Sequence, residues 1–189
     1  MKKFAVVTND LQVAAATKHP QRQKAVSEFL PRQVDFLKSM RKFGIPVIHL
    51  QLVVDDDLKS VGLPDTLRFV RGCAGSQILP EVYEKTDFII EKPKDSGFYQ
   101  TTLDDTLRTL EVNAIIVTGM QTQICVQTTA ADAYFRGYQV FVPSDGVVSS
   151  RPEDTIQALH WMSNYCATVM TSDEIENLIK SNSVSGVNL

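Results

Sequence analysis

Short apolar runs alternate with longer segments of helical periodicity along the chain, and this alternation constrains the fold more than any other feature. The apolar runs lie at residues 4–7, 45–54, 88–90, 114–117, 140–142 and 167–170. Each run is typical of a buried strand, and the segments between them are long enough to cross over a sheet and return. The pattern predicts an α/β fold: a doubly wound, six-stranded parallel sheet with helices on both faces, of the Rossmann-like kind.

Breaker residues predict where the helices and loops lie. Pro31 is expected to open a helix that Gly44 ends, because the missing N–H of proline has no cost in the first turn. Residues 55–86 contain several glycines and prolines and are expected to form a long loop with short helical turns. Other helices are expected to begin near Thr102, Cys125, Pro152 and Ser172. A single domain over residues 1–180 is predicted, with 181–189 as a frayed tail.

Composition narrows the classes of function. The chain has 189 residues, 43% of them hydrophobic and 22% charged, with a net charge of −3. That charge gives no electrostatic surface for nucleic acid or an anionic membrane. No apolar run approaches the roughly 20 residues that a membrane-spanning helix needs. The apolar N-terminal run ends too early, at Thr8, for a secretory signal, so a cytoplasmic protein is expected.

The three cysteines do not suggest a disulfide framework or a zinc site. Cys73, Cys125 and Cys166 are odd in number, far apart and outside any C-x-x-C pair. Cys73 and Cys166 are interpreted as small packing residues. Cys125 differs because it follows a strand and opens a helix. A helix N-terminus favours a thiolate, and its free N–H groups can hold an oxyanion.

Chemically different side chains follow three of the predicted strands. Asp10, Lys92 and Cys125 each come just after an apolar run. Ligands of doubly wound sheets bind beyond the carboxyl ends of the strands. Taken singly, Asp10 could be a turn cap, Lys92 a solvated surface lysine and Cys125 a buried apolar residue. Together they predict that Lys92 keeps Asp10 ionised by charge pairing and that Asp10 is the base for the Cys125 thiol.

The histidines, glycines and acidic run of the chain do not form a metal or cofactor motif. His19, His49 and His160 have no metal-ligand spacing, and His49 is interpreted as a core or rim residue. The glycines at 72 and 75 do not fit a dinucleotide or phosphate loop. The acidic run 55–57 is interpreted as a solvated turn. We therefore expect no metal and no cofactor.

Three motifs in chain order resemble a known family. Residues 10–12 match D-x-Q, residues 92–98 match K-x-x-x-S-x-F, and residues 119–133 match G-x-x-T-x-x-C-V-x-x-T-A-x-D-A. This set resembles the isochorismatase-like cysteine hydrolase superfamily, which includes nicotinamidases and N-carbamoylsarcosine amidohydrolases. The resemblance covers roughly residues 4–175.

The resemblance implies roles for individual residues. Asp10, Lys92 and Cys125 map onto the family's catalytic triad. A cis peptide is expected between Met120 and Gln121, with the backbone N–H groups of Gln121 and Cys125 as the oxyanion hole. Phe98 is expected to wall the substrate pocket, and relatives suggest a homo-oligomer.

Two departures from relatives narrow the expected reaction. The region after the second strand, from His49 to Asp55, lacks the Asp-x-His and further histidines that bind a metal in nicotinamidases. Cys125 is present, whereas isochorismatases that cleave a vinyl ether typically lack this cysteine. The sequence thus predicts a metal-independent hydrolase that cleaves the C–N bond of a small amide or ureido substrate through a thioester. The alternatives are a vinyl-ether hydrolase and a non-catalytic binding protein on the same fold.

Overall fold

The computed structural model describes residues 2–55 and 61–184, and these residues form one parallel sheet. Its strands are β1 (Phe4–Asn9), β2 (Val47–Leu52), β3 (Phe88–Lys92), β4 (Ala114–Met120), β5 (Gln139–Pro143), β6 (Val147–Val148) and β7 (Thr168–Met170). The order across the sheet is β3-β2-β1-β4-β5-β7, and the short β6 pairs with the end of β4. All pairings between these named strands are parallel. The predicted doubly wound sheet is confirmed, with β6 as an additional short strand.

Helices cover both faces of this sheet. They are α1 (Val13–Thr17), α2 (Pro20–Lys42), α3 (Leu103–Thr109), α4 (Gln127–Phe135), α5 (Pro152–Tyr165) and α6 (Ser172–Val184). Residues of α1, α2 and α6 belong to one apolar cluster, and those of α3, α4 and α5 belong to the other. None of the helices in the described ranges has the length and apolar character that crossing a bilayer requires.

Strand β4 lies between the two clusters. All seven of its residues are buried. Ile115 and Val117 pack into the cluster with α3, α4 and α5, while Ile116 and Met120 pack into the other. Because successive side chains of a strand point to opposite faces, a strand covered on both faces is a continuous apolar run. This is why the run at 114–117 could be recognised in the sequence.

Helix α2 begins at Pro20, and the prediction that Pro31 opens a helix is wrong. Pro31 lies inside the 23-residue helix, on its exposed side. A proline inside a helix costs about 3 kcal/mol. Full burial of an apolar side chain contributes about 1.5–3 kcal/mol. The helix buries five such side chains at helical spacing on both sides of the proline, so their burial outweighs its cost: Val26, Phe29, Phe36, Leu37 and Met40.

The structure also bears on the predicted loop and tail. Short 3₁₀ turns, Asp65–Leu67 and Ala74–Ser76, lie within the predicted loop at 55–86, and residues 56–60 of that loop are outside the described residues. Helix α6 runs to Val184, so the first four residues of the predicted frayed tail are helical. The remaining five, 185–189, are outside the described residues.

The strand order reverses between β1 and β4. From β1 the chain order runs outward through β2 and β3 on one side, and from β4 through β5 and β7 on the other. Such a switch point leaves a crevice beyond the carboxyl ends of the two central strands. Asp10 follows β1 directly, and the segment with Cys125 follows β4. The topology therefore brings these two residues to the same crevice.

Candidate active site

Asp10 and Lys92 form a buried ion pair at the carboxyl edge of the sheet. Lys92 Nζ lies 3.0 Å from Asp10 Oδ1 and donates a hydrogen bond of 3.1 Å to Oδ2. Asp10 is 5% exposed and Lys92 is 1% exposed. Oδ1 has no well-aligned hydrogen-bond donor within the described residues. That oxygen is an acceptor available for a further proton.

Lys92 reaches Asp10 from a strand two positions away. It ends β3, and β2 lies between β3 and β1, so the side chain crosses about 9–10 Å of sheet. Its ammonium group also donates to the carbonyls of Lys94 (3.2 Å) and Asp95 (3.0 Å). A lysine has three N–H donors, and all are occupied here. The chain after β3 therefore folds around the ammonium group and fixes it beside Asp10.

Hydrogen bonds hold that segment against helix α4. Ser96 Oγ donates to Asp132 Oδ2 (2.7 Å), and the Gly97 N–H donates to Thr129 Oγ1 (3.0 Å). Thr129 in turn donates to Asn9 Oδ1 at the end of β1 (3.0 Å). Ser96 and Gly97 of the second motif are thus each hydrogen-bonded to one residue of the third. These bonds position the segment that follows Lys92.

Cys125 lies in a π-helical turn, Thr122–Val126, between β4 and α4. The sequence predicted an ordinary first helical turn at this place. The thiol is 6% exposed, and its Sγ lies 3.6 Å from Asp95 Oδ1. Burial raises the pKa of Asp10, and a side-chain hydrogen bond with Cys125 is one of the effects that oppose it. The sulfur thus contacts the Asp95 carboxylate and interacts with that of Asp10.

The turn before the cysteine contains a cis peptide between Met120 and Gln121, at the position that the family resemblance implies. The backbone carbonyl of Gln121 accepts a hydrogen bond from the Val126 N–H (3.2 Å), which closes the turn around Cys125. Gly119 precedes this turn with φ of +104°, and a Cβ there would lie 2.3 Å from the Asn9 carbonyl oxygen. Only glycine allows β4 to approach β1 this closely.

The electrostatics of the three groups are strongly coupled. Burial raises the pKa of Asp10, and the charge of Lys92 opposes that effect only in part. Burial lowers the pKa of Lys92, but the charges of Asp10 and Cys125 outweigh it and the net change is upward. Burial and the charge of Asp10 raise the pKa of Cys125 well above its ordinary value of 9.0. Desolvation thus opposes the thiolate that a helix N-terminus favours, and the role of Cys125 as a nucleophile stays a prediction.

Phe98 and the other two cysteines lie in the core. Phe98 is 5% exposed, stacks on Tyr138 with centroids 6.0 Å apart, and lies 4.9 Å from the guanidinium of Arg136. These contacts give its ring a packing role, and its place at the edge of a substrate pocket stays a prediction.

Cys73 and Cys166 are buried and free, as the packing interpretation predicted.

His49 is fully buried, in agreement with its interpretation as a core residue. Its Nδ1 is 2.7 Å from Thr8 Oγ1, and its Nε2 is 3.1 Å from Asp87 Oδ2. Both ring nitrogens are thus engaged. Within residues 2–55 and 61–184, no group of three His, Cys, Asp or Glu is arranged to hold a metal ion.

Three residues at this site were missed by sequence reasoning. Asp95 faces the sulfur of Cys125, Ser150 donates its N–H to Gln121 Oε1 (3.0 Å), and Arg22 Nε donates to Ser150 Oγ (2.9 Å). Asp95 could have been found from its place inside the K-x-x-x-S segment. No local sequence pattern marks Arg22 and Ser150 as site residues, because only the tertiary fold brings helix α2 and the loop before α5 to the crevice.

The fold and this arrangement define a doubly wound α/β protein with a buried cysteine and an ion pair at its switch point. The isochorismatase domain model matches residues 4–174, so the chain belongs to the isochorismatase family. The resemblance inferred from the three motifs is confirmed.

Individual relatives agree with this assignment. The chain is 42% identical over 88 residues to the uncharacterized isochorismatase family protein YaaI of Bacillus subtilis, across 47% of this chain and 49% of that protein. It is 38% identical over 134 residues to the ureidoacrylate amidohydrolase RutB of Enterobacter sp., across 60% of this chain and 58% of that protein. The chain thus spans about half the length of these curated relatives. The structure of N-carbamoylsarcosine amidase from Thermoplasma acidophilum is 28% identical with a TM-score of 0.72, across 92% of this chain and 98% of that chain.

Proposed function

We propose that this protein is a metal-independent cysteine hydrolase that cleaves the C–N bond of a small amide or ureido substrate through a thioester. The observation that carries the proposal is the convergence of Cys125 and the Asp10–Lys92 ion pair on Asp95 at the switch point of the sheet. Cys125 Sγ lies 3.6 Å from Asp95 Oδ1, and Lys92 Nζ donates to the Asp95 carbonyl (3.0 Å). A thiol, an acceptor for its proton and a fixed positive charge are the groups that nucleophilic attack on a carbonyl requires.

In the proposed mechanism Asp10 accepts the proton of the Cys125 thiol, and the resulting thiolate attacks the substrate carbonyl carbon. The backbone N–H groups of Gln121 and Cys125 hold the oxyanion of the tetrahedral intermediate. Protonated Asp10 returns the proton to the leaving nitrogen, the C–N bond breaks, and an acyl group remains on the sulfur. Asp10 then takes a proton from water, the hydroxide attacks the thioester, and the carbonyl product leaves as the thiol is restored.

Lys92 is proposed to hold Asp10 in the ionised state between steps. Burial raises the pKa of Asp10 and the ammonium group opposes this, so the carboxylate stays a usable base although it is desolvated. The raised pKa of Asp10 also makes it a better proton acceptor than an ordinary aspartate. The reaction needs proton exchange between Cys125 and Asp10 in both directions. The raised pKa of Asp10 favours transfer of the thiol proton to it, whereas the raised pKa of Cys125 opposes that transfer and favours return of the proton to the sulfur.

Two observations favour amide or ureido cleavage over the vinyl-ether alternative. The thiol that an acyl-enzyme needs is present next to the base. Among its relatives, RutB is described as a ureidoacrylate amidohydrolase and the Thermoplasma protein as an N-carbamoylsarcosine amidase, both of which act on C–N bonds. A non-catalytic binding protein would have no need for a buried ion pair beside a buried thiol, whose burial has a cost in stability.

A screen for ammonia release from small amides and ureido compounds tests the proposal. The wild-type protein should release ammonia from at least one compound, and Cys125→Ala should not. Cys166→Ala is the matched control, because it removes another buried free cysteine that packs in the core away from the site. Release that persists in Cys125→Ala would refute the role of the thiol. Loss of release in both cysteine variants would point to a general effect on the fold.

The expected homo-oligomer and cytoplasmic location stay predictions. The proposed partner is a small-molecule substrate, with no nucleic acid and no membrane.

Four aromatic side chains on helices α4 and α5 are in mutual contact and at least 41% exposed, which would suit association between copies: Tyr134, Phe135, Trp161 and Tyr165.

A further inference from the structure

Arg22 is a partly buried arginine without a carboxylate partner in the described part of the chain. Its Nε donates to Ser150 Oγ (2.9 Å), and its Nη1 donates to the Ala15 carbonyl at 3.4 Å. No Asp or Glu within residues 2–55 and 61–184 forms a salt bridge with it, unlike Arg32 and Arg41 of the same helix. A guanidinium has five N–H donors, so several remain available to a ligand.

A second unpaired donor lies on the other side of Ser150. The Oε1 of Gln121 accepts the Ser150 backbone N–H (3.0 Å), and this bond fixes which end of the amide is the oxygen. The Nε2 of Gln121 is buried and has no hydrogen-bond partner among the described residues, although Gln121 is only 9% exposed. An unsatisfied buried donor has a cost of about 1–3 kcal/mol, which a ligand acceptor would relieve.

Hydrogen bonds connect both donors to the turn that carries the proposed nucleophile. Gln121 opens the π-helical turn that holds Cys125, and Ser150 connects Gln121 to Arg22. Burial lowers the pKa of Arg22, and the charge of a Cys125 thiolate opposes that effect. The other cation at the site, Lys92, has all three donors occupied.

We propose that Arg22, together with Gln121 Nε2, binds a carboxylate of the substrate. The proposal rests on the proposed function and refines it: the substrate class is an amide or ureido acid that carries a negative charge near the scissile bond. Arg22 is a specificity-determining residue in this reaction. Asp95, whose carboxylate lies 3.6 Å from the sulfur, is an acceptor and suits the N–H groups of the amide or ureido end of the substrate.

Alkylation of Cys125 by a pair of reagents tests this site without a known substrate. Iodoacetate and iodoacetamide have nearly the same size, and only iodoacetate carries a carboxylate. The rates on Cys125 are measured by peptide mapping at one pH and ionic strength, and expressed as the ratio of iodoacetate to iodoacetamide. The wild-type ratio should exceed that of N-acetylcysteine. In Arg22→Gln it should fall by about tenfold, the effect of losing one hydrogen bond to a charged group.

Arg151→Gln is the control variant. Arg151 is adjacent to Ser150, highly exposed and paired with Asp154, so it changes the local surface charge without removing an available buried donor. Its ratio should match wild type. If Arg22→Gln slows both reagents equally, Arg22 only positions Ser150 and Gln121, and the carboxylate site is refuted. A wild-type ratio equal to that of N-acetylcysteine refutes it as well, whether or not the variant folds.

Hydrolysis rates of a charged and a neutral substrate distinguish the proposed carboxylate site from the proposed hydrolase activity. N-carbamoylglycine and its neutral analogue N-carbamoylglycinamide form a matched pair of substrates. If they are hydrolysed, Arg22→Gln should raise KM for the acid about tenfold and leave the amide nearly unchanged. Equal losses for both would overturn the carboxylate site. If neither is hydrolysed, the alkylation ratio alone decides the carboxylate site.

Discussion

Lys92 Nζ lies 3.0 Å from Oδ1 of Asp10, and the two side chains are 0% and 6% exposed. Charges this deeply buried depend on each other. Removing one partner of such a pair leaves an uncompensated buried charge, whereas replacing both leaves none. A substitution of either residue should therefore change both the free energy of unfolding and the charge at the site.

Lys92→Met should destabilise the protein by about 3–5 kcal/mol, because the Asp10 carboxylate is left buried without its counter-charge. The double variant Asp10→Asn/Lys92→Met should recover much of that loss. Urea unfolding measures both. Arg151→Met is a control that breaks an exposed ion pair and should change stability by less than about 1 kcal/mol. A change that small in Lys92→Met would show that the Asp10 carboxylate does not depend on Lys92 as its counter-charge.

The pH dependence of Cys125 alkylation should report the charges around the thiol. Its pKa is raised by burial first and by Asp10 next, while Lys92 lowers it. The rate of iodoacetamide labelling should therefore rise at a pH above the ordinary value of 9.0. Asp10→Asn removes a negative charge and should shift the curve to lower pH, and Lys92→Met removes a positive charge and should shift it higher. Shifts in the same direction for both variants would contradict this electrostatic account.

The parts of the fold and site that the sequence predicted are those with local signals. β4 is a continuous apolar run because both of its faces are covered, and Asp10, Lys92 and Cys125 could be selected because each follows a strand. The topology rule for parallel sheets then placed them at one edge. Predicting that Asp10, Lys92 and Cys125 lie at one edge of the sheet required only the order of the strands and helices along the chain, and no knowledge of how they pack.

The parts that the sequence did not predict depend on tertiary packing. Two prolines can each open a helix, and only the buried stripe that α2 forms against the sheet decides in favour of Pro20 over Pro31. Burial and the charge of Asp10, which lies 115 residues away in sequence, raise the pKa of Cys125, and neither effect could be recognised from its place at a helix start. Arg22 reaches the site only because α2 packs beside the loop at Ser150.

Replacing the proposed base should nearly abolish turnover without unfolding the protein. Asp10→Asn keeps the shape of the side chain but cannot accept the thiol proton, and loss of a general base lowers the rate by about 10²–10⁴-fold. Cys125→Ala should reduce turnover to background. Initial rates on any substrate found in the ammonia screen measure this, with circular dichroism to verify folding. Near wild-type rates in Asp10→Asn would remove Asp10 from the mechanism.

Activity should not require a metal ion. The histidine nearest in position to the metal-binding segment of nicotinamidases is His49, and its two ring nitrogens are engaged with Thr8 and Asp87 in the core. Dialysis against a strong chelator should leave the initial rate unchanged. Loss of activity that zinc or iron restores would contradict this prediction and favour a nicotinamidase-like site.

An acyl group should be trapped on Cys125 during turnover. A thiolate that attacks a carbonyl must form a thioester, whereas vinyl-ether hydrolysis can proceed by proton transfer without a covalent intermediate. Intact-mass analysis after an acid quench, with a slowly deacylated amide, should detect the adduct, and peptide mapping should locate it on Cys125. Hydroxylamine should divert the same acyl group into a hydroxamate, and Cys166→Ala should behave like wild type. The trap is informative only when deacylation limits the rate, which a burst of ammonia release before steady state would establish. If such a burst occurs and neither adduct nor hydroxamate forms, the thioester mechanism is wrong and the ether-hydrolase alternative gains support.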